Sequence, residues 1–242
     1  MLWRDLRRFT DARVGLGRVG TAIPTKAHLD FQEAHARARD AVWSALDVPS
    51  LTDALSSFGL GVHAISSAAE DRRQYLLRPD LGRRLSDKDR HGLPVLPGSI
   101  VCVVADGLCA TGVQHHAPAV LAALLPALIR AGFTPAPLII AEQARVALGD
   151  DIAEHMQAAA LIMLIGERPG LSAMDSLGLY ITWAARRGST DAMRNCISNI
   201  RPAGLAPEAA AAKALWLLLE ARKLGATGVG LKDEMPSHYR LE

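Results

Sequence analysis

Acidic residues directly follow three short apolar runs, and this position first suggests chemistry in the chain. The runs and their acidic residues are 100–105 with Asp106, 137–141 with Glu142, and 161–166 with Glu167. A short apolar run ended by Gly or Pro is typical of a buried, parallel β-strand. Right-handed crossovers place the carboxyl ends of parallel strands at one edge of the sheet, where open α/β folds bind ligands. We therefore expect Asp106, Glu142 and Glu167 to be neighbours at a ligand-binding edge; their alternative role is to cap the helices or loops that follow.

Other reactive side chains give weaker patterns. His115 and His116 are adjacent and point to different faces of a helix, so they make a poor metal pair, and no HExxH cluster accompanies them. The segment Gly15–Gly20 (GLGRVG) matches the dinucleotide fingerprint in its letters, but charged residues precede it instead of a buried strand, which favours a loop. Cys196 begins an apolar extended segment, where a thiol serves as core filler or as a functional group. These patterns lead us to assign no catalytic residue and no metal site.

The composition is that of an ordinary folded protein. The 242 residues are 50% hydrophobic and 21% charged, enough for a sizeable core in one large domain or two small ones. The formal net charge of +2 is too small to indicate a nucleic-acid partner, and no apolar run approaches the ~20 residues of a membrane helix. The three cysteines lack CxxC spacing and no signal peptide is recognisable, which indicates reduced thiols in the cytoplasm.

A change in the sequence pattern near residue 95 divides the chain into a mainly helical N-terminal region, 1–95, and an α/β domain, 96–242. The elements expected in the second region are strands at 100–105, 136–141, 161–166, 180–184 and 196–200, and helices at 117–131, at 150–159 and from Pro207 to Gly225. Strands that alternate with helices predict the α/β class, with a Rossmann-like, mostly parallel sheet flanked by helices.

The N-terminal region is predicted from its helix breakers and its periodicity. We expect residues 2–13 to form a short helix and a long helix to open at Pro24 and end at Pro49, with an apolar stripe at three- and four-residue steps. Leu60–Ser66 is a candidate strand, and Tyr75–Leu85 is an extended piece that turns into a short helix.

Several segments resemble, in order and spacing, the small (light) subunit of ethanolamine ammonia-lyase, an adenosylcobalamin-dependent family. They are Leu6–Val14 (LRRFTDARV), Tyr75–Leu85 (YLLRPDLGRRL), Ala105–Leu108 (ADGL), Gly166–Leu171 (GERPGL) and Cys196–Ile200 (CISNI). The resemblance extends from about residue 5 to about residue 230.

The resemblance implies a radical elimination that converts ethanolamine to acetaldehyde and ammonia, in which the cofactor supplies the chemistry and the protein places and shields it. It also implies a hetero-oligomer in which the substrate binds in the large subunit, while the small subunit closes over the cobalamin at the subunit interface. This chain would then not be catalytic alone. The family's small-subunit contacts to cobalamin fall on Val146, Glu167 and Cys196, and a carboxylate such as Glu167 can accept N–H groups from the side-chain amides of the corrin.

Two expectations remain open beside this resemblance. Enteric relatives carry a long N-terminal extension associated with packing into a microcompartment, and here only Met1–Asp5 precede the LRR segment. A cytoplasmic enzyme is therefore expected, with the bacterial microcompartment as the alternative. The rival functions are a stand-alone nucleotide-binding α/β enzyme and a corrinoid-binding accessory module without a large subunit.

Overall fold

A six-stranded sheet forms the centre of the protein in the computed structural model, which describes residues 3–10 and 12–241. The strands are β1 (Val62–Ser66), β2 (Ile100–Ala105), β3 (Leu138–Glu142), β4 (Ala160–Gly166), β5 (Leu177–Trp183) and β6 (Asn195–Ile200). Their order across the sheet is β1-β3-β2-β4-β5-β6. Each strand predicted from the sequence is confirmed, with ends shifted by a few residues.

The strands of this sheet run in two directions. β1, β3, β2 and β4 pair in parallel, whereas β5 pairs antiparallel with β4 and β6 pairs antiparallel with β5. The α/β class is confirmed, but the sheet is mixed, and the mostly parallel, Rossmann-like sheet is not confirmed. The reason lies in the connection 167–176, which contains no helix. A parallel return requires a long crossover, usually a helix, so the short connection brings β5 back antiparallel to β4.

Helices flank both faces of the sheet. The α-helices are α1 (Thr25–Trp43), α2 (Val48–Ser56), α3 (Arg72–Leu77), α4 (Asp87–Arg90), α5 (Ala110–Arg130), α6 (Leu148–Met156) and α7 (Pro207–Leu224). Short 3₁₀ helices cover Trp3–Arg8, Leu81–Arg83, Asp191–Met193 and Gly228–Gly230. The first of these lies within the predicted helix 2–13, of which residues 2 and 11 fall outside the described residues.

The core is divided by the sheet into two layers, because alternate residues of a strand point to opposite faces. In β2, Ile100 and Val104 belong to the layer that includes α5 and α7. Val101 and Val103 belong to the other layer, which includes α6. All of β2 is buried, as expected for a strand covered by helices on both faces.

Two predictions in the N-terminal region were wrong. The helix that opens after Pro24 ends at Trp43, and Pro49 lies in the first turn of α2 instead of ending α1. The first turn tolerates proline because its N–H would have no helical partner there. Tyr75 lies in α3 and not in an extended piece, because the Asp71 side chain accepts a hydrogen bond from Gln74 N and caps a helix.

Helix α5 also differs from its prediction. It begins at Ala110 and not at residue 117, and it continues through Pro118 and Pro126. It is long and apolar enough to cross a membrane by length and composition, which qualifies the expectation that no such segment exists. However, 56% of its most apolar window is buried inside the protein.

The division of the chain at residue 95 stays a prediction. β1 lies before that point and is hydrogen-bonded along its length to β3, which lies after it.

Candidate functional site

A cavity of about 410 Å³ lies where β2 and β4 end, and we call it the edge cavity. Its walls come from α3, from the loops after β2, β3 and β4, and from β5. The lining residues are Tyr75, Gly107, Leu108, Arg145, Val146, Ile165, Gly166, Glu167, Arg168 and Tyr180. The cavity lies at the sheet edge that the strand pattern predicts, and two of the three predicted cobalamin contacts, Val146 and Glu167, line it.

Two glycines allow the loops after β2 and β4 to touch beneath the edge cavity. Gly107 has a φ of +55°, and a Cβ there would collide with the carbonyl oxygen of Gly166. A Cβ on Gly166 would in turn collide with the carbonyl oxygen of Cys109. Leu108 N donates to Gly166 O at 3.0 Å. The two loops therefore meet backbone to backbone, a packing that only glycine permits at these positions.

Asp106 joins two loops and does not line the edge cavity. Its Oδ1 accepts a hydrogen bond from Ala144 N at 3.0 Å, and its Oδ2 accepts from Gln143 N at 2.9 Å and from Arg72 Nη1 at 3.2 Å. Burial raises the pKa of Asp106 to about 6, although these hydrogen bonds and the Arg72 charge act in the opposite direction. Of the two roles that the sequence left open for Asp106, the structure supports the loop cap.

Glu167 lies half-buried in the wall of the edge cavity. Asn199 N donates to its carboxylate, with both oxygens at 3.2 Å. Gly178 lies beside it, since a Cβ there would be 3.2 Å from Oε1. A carboxylate has about four lone-pair positions, so one backbone donor leaves it able to accept hydrogen bonds from a ligand.

Cys196 lies next to Tyr180, a residue that lines the edge cavity. The two residues are opposite each other in the β5–β6 pair, so their side chains lie on the same face, and they are hydrogen-bonded. Tyr180 lines the cavity, whereas Cys196 is exposed and does not line it. Partial desolvation of the sulfur raises the pKa of Cys196, and so does the charge of Glu167, whereas the hydrogen bond with Tyr180 lowers it. The pKa of Cys196 therefore lies above its ordinary value.

Another wall of the edge cavity is cationic. Tyr75 is buried on α3 and donates to Ala144 O at 3.1 Å, and burial raises the pKa of its hydroxyl to about 12. The guanidinium groups of Arg145 and Arg72 lie 4.2 and 4.7 Å from the centre of the Tyr75 ring, within the range of cation–π contacts. Arg145 Nη2 donates to Tyr75 O at 3.3 Å, but Arg145 Nε is buried and has no acceptor among the described residues. Guanidinium groups carry only donors, so this wall favours a ligand that presents acceptor oxygens.

The loop that carries Glu167 packs against the first turns of α5 and is hydrogen-bonded to them. Cys109 Sγ donates to Met174 O at 2.9 Å, and His116 Nε2 lies 3.5 Å from Asp175 Oδ2. A Cβ on Gly112 would come within 2.6 Å of Asp175 O, so α5 and the loop are in close contact. These contacts hold the position of Glu167 relative to the sheet.

The sequence predictions for this edge have mixed outcomes. Glu142 ends β3 but lines a different cavity, of about 510 Å³, and so the three acidic residues do not share one cavity. Tyr75, Arg145 and Tyr180 were not predicted as site residues. Tyr75 and Arg145 are 70 positions apart, and no local motif marks either as part of a site.

Comparison with known proteins agrees with the resemblance noted in the sequence. A family described as "Ethanolamine ammonia-lyase light chain (EutC)" matches residues 2–232. The chain belongs to this family. Proteins named ethanolamine ammonia-lyase small subunit are similar to it along nearly their whole length. The one from Rhodopseudomonas palustris (strain BisA53) is 51% identical over 234 residues, covering 96% of this chain and 90% of its own. The one from Azotobacter vinelandii is 50% identical over 238 residues, covering 96% of this chain and 88% of its own. The light-chain resemblance is thus confirmed.

Proposed function

We propose that this chain is the small subunit of an adenosylcobalamin-dependent ethanolamine ammonia-lyase and that its edge cavity binds part of the cobalamin. The family and the names of the relatives support the enzyme. The observation that carries the cobalamin assignment is the position of Glu167, which lines one cavity with Val146 and with Tyr180, the residue hydrogen-bonded to Cys196.

The residues of the edge cavity fit the side-chain amides of a corrinoid. The carboxylate of Glu167 accepts amide N–H groups, and the guanidinium of Arg145, which lines the cavity, donates to an amide carbonyl. Val146, Leu108 and Ile165 add apolar contact. Adenosylcobalamin supplies the radical chemistry of the deamination when it is bound, and the residues of this chain bind it, orient it and exclude water.

The size of the edge cavity supports a partner that completes the site. A volume of about 410 Å³ is within the range of pockets for drug-sized ligands, and a corrinoid is larger than such a ligand. Most of the cofactor therefore lies outside the cavity. The large subunit covers it in the hetero-oligomer, and the reaction takes place there.

The test of this function is the affinity of the assembled enzyme for cobalamin when Glu167 is changed. A hydrogen bond to a charged group contributes roughly 1.5–3 kcal/mol, so Glu167→Gln should weaken cobalamin binding about ten- to a hundredfold. Cys196→Ser should cost less, since a thiol packs more than it bonds and Cys196 does not line the cavity. The measurement is an optical titration of the complex of both subunits with adenosylcobalamin.

The matched control for this titration is Glu208→Gln, which removes an exposed carboxylate in the first turn of α7. It should leave cobalamin affinity unchanged. The assignment of Glu167 fails if Glu167→Gln binds cobalamin as tightly as the wild-type complex, because the carboxylate would then serve only Asn199 N.

A rival function is a stand-alone nucleotide-binding enzyme or a corrinoid-binding accessory module. The names of the relatives favour the lyase subunit. Tight binding of a nicotinamide nucleotide by the chain alone would favour the first rival. Corrinoid binding that needs no large subunit would favour the second.

We further propose a cytoplasmic location for the enzyme, on the basis of its three cysteines, which are free in the structure. The alternative is a bacterial microcompartment. A fluorescent fusion of this chain, expressed with the large subunit, should be evenly distributed. Foci that disperse when shell genes are deleted would show the alternative to be correct.

A further inference from the structure

A second and larger cavity, of about 650 Å³, adjoins the edge cavity and shares Arg145 and Val146 with it. We call it the arginine basin. Its lining residues are Asp80, Arg83, Arg84, Arg145, Val146, Ala147, Arg187, Gly188, Ser189, Thr190, Asp191 and Arg194. Five arginines thus meet in one concavity, against two aspartates.

Part of this charge is neutralised within the protein. Arg187 donates to Asp151 at 2.7 Å. Arg194, which is buried, donates to Asp150 at 2.6 Å and lies 3.3 Å from Asp191. Two arginines of the basin are therefore already paired with carboxylates, although Arg187 shares Asp151 with Arg90.

Asp80 does not neutralise the remaining arginines. Arg78 holds its carboxylate with two hydrogen bonds, of 2.9 and 2.8 Å. The pKa of Asp80 is lowered chiefly by Arg78 and only in smaller part by the charge of Arg84.

Three arginines of the basin remain without a carboxylate partner. Within the described part of the chain, no ion pair joins Arg83, Arg84 or Arg145 to an acidic side chain. Arg83 and Arg84 are exposed, whereas Arg145 is half-buried. The planar fork of a guanidinium matches the oxygens of phosphate groups, and a cluster of such forks is a typical site for an anion.

The shared wall indicates that a single ligand reaches both cavities. Val146 and Arg145 separate the basin from Glu167, so a ligand with amides at Glu167 and an anionic group farther along would place that group among the arginines. Cobalamin has this composition, since its corrin side chains are neutral amides and its nucleotide loop carries one phosphodiester. We infer that the arginine basin binds the phosphodiester of the nucleotide loop, through Arg83, Arg84 and Arg145. This inference rests on the proposed function.

The test compares two corrinoids on the assembled complex of both subunits. Cobalamin has the phosphodiester, whereas cobinamide has the corrin amides but no nucleotide loop. The variant Arg83→Gln/Arg84→Gln should weaken cobalamin binding roughly tenfold and leave cobinamide binding unchanged, since two contacts between exposed charges are lost and each contributes only about 0.2–1 kcal/mol. Arg83→Lys/Arg84→Lys, which keeps the charges but not the planar fork, should recover part of the affinity. Arg130→Gln, which removes an exposed arginine at the end of α5, is the control and should change neither affinity.

A second measurement does not depend on cobinamide. Raising the salt concentration weakens contacts between exposed charges, so the cobalamin affinity of the wild-type complex should fall with salt more steeply than that of the glutamine double variant. Equal slopes would overturn the inference, as would equal losses for both corrinoids or no loss for either. If the double variant fails to bind the large subunit while its melting temperature is unchanged, the basin holds acidic residues of that subunit and the inference is wrong.

The outcome for Glu167 separates this inference from the proposed function. Glu167→Gln should weaken both corrinoids, because it acts on the amides. If it does so while the arginine variant changes nothing, the basin inference alone fails. If Glu167→Gln changes neither affinity, the assignment of the edge cavity fails, whatever the arginine variant shows.

Discussion

Tyr180 is the residue that joins the predicted cobalamin contacts, because it lines the edge cavity and is hydrogen-bonded to Cys196. This hydrogen bond lowers the pKa of the Cys196 thiol, and the charge of Glu167 raises it. Only the thiolate reacts with alkylating reagents. Tyr180→Phe should therefore raise the pKa of Cys196 and slow its alkylation, while Glu167→Gln should lower that pKa and speed the reaction.

The pH–rate profile of Cys196 alkylation, followed by mass spectrometry on the folded chain, checks these two opposite shifts. Cys102 and Cys109 are buried and should stay unmodified, which makes them internal controls for folding. A shift of the same sign in both variants would show that Tyr180 and Glu167 do not act on this sulfur. Saturation with cobalamin in the complete enzyme should protect Cys196, if the thiol borders the cofactor.

At the scale of elements, the edge cavity depends on the contact between the loops after β2 and β4. Gly166→Ala places a Cβ against the carbonyl oxygens of Cys109 and Asp106, and both of these are backbone atoms that cannot turn away. We expect a loss of roughly 2–4 kcal/mol in the free energy of unfolding, which is the cost of strain or overpacking in a closely packed region. Chemical denaturation of the chain measures it.

The matched control for this prediction is Gly230→Ala. Gly230 is exposed, and nothing lies within 4 Å of a Cβ built on it. The free energy of unfolding of Gly230→Ala should differ from that of the wild-type chain by no more than about 0.5 kcal/mol. Equal stability of the two variants would mean that the loops after β2 and β4 separate at little cost, and that the edge cavity is less rigid than the structure shows.

At the scale of the whole molecule, the edge cavity and the arginine basin both lie on the surface of this chain and are too small to enclose a corrinoid. Radical chemistry requires a site from which water is excluded. The isolated chain should therefore show no deamination of ethanolamine in the presence of adenosylcobalamin, and mixing it with the large subunit should restore turnover. Acetaldehyde formed by this chain alone, above the level of a cofactor-only control, would contradict the proposed division of labour.

The sequence by itself determined the strands and the position of Glu167. A bare apolar run followed by Gly166 is a local signal, since burial on both faces requires apolar residues throughout and the glycine marks where the strand ends. The sequence also identified the family, because segments such as GERPGL and RPDLGRRL keep their order and spacing. The segment that begins at residue 161 was therefore correctly predicted to be a strand that leads to an acidic residue at the sheet edge.

Only the tertiary structure decided what surrounds Glu167. The direction of β5 depends on the course of the connection 167–176, and that direction places Tyr180 opposite Cys196. Tyr75 and Arg145 meet because α3 packs on the loop after β3, a contact between residues far apart in the chain that no periodicity encodes.

Asp106 and Glu167 have similar local sequences and different roles. Asp106 is surrounded by N–H donors from the neighbouring loop and from Arg72, whereas Glu167 receives a single backbone donor and lines the edge cavity. Such differences in partners arise from packing between distant segments, which is the physical reason why the sequence predicted the edge of the sheet but not the walls of its site.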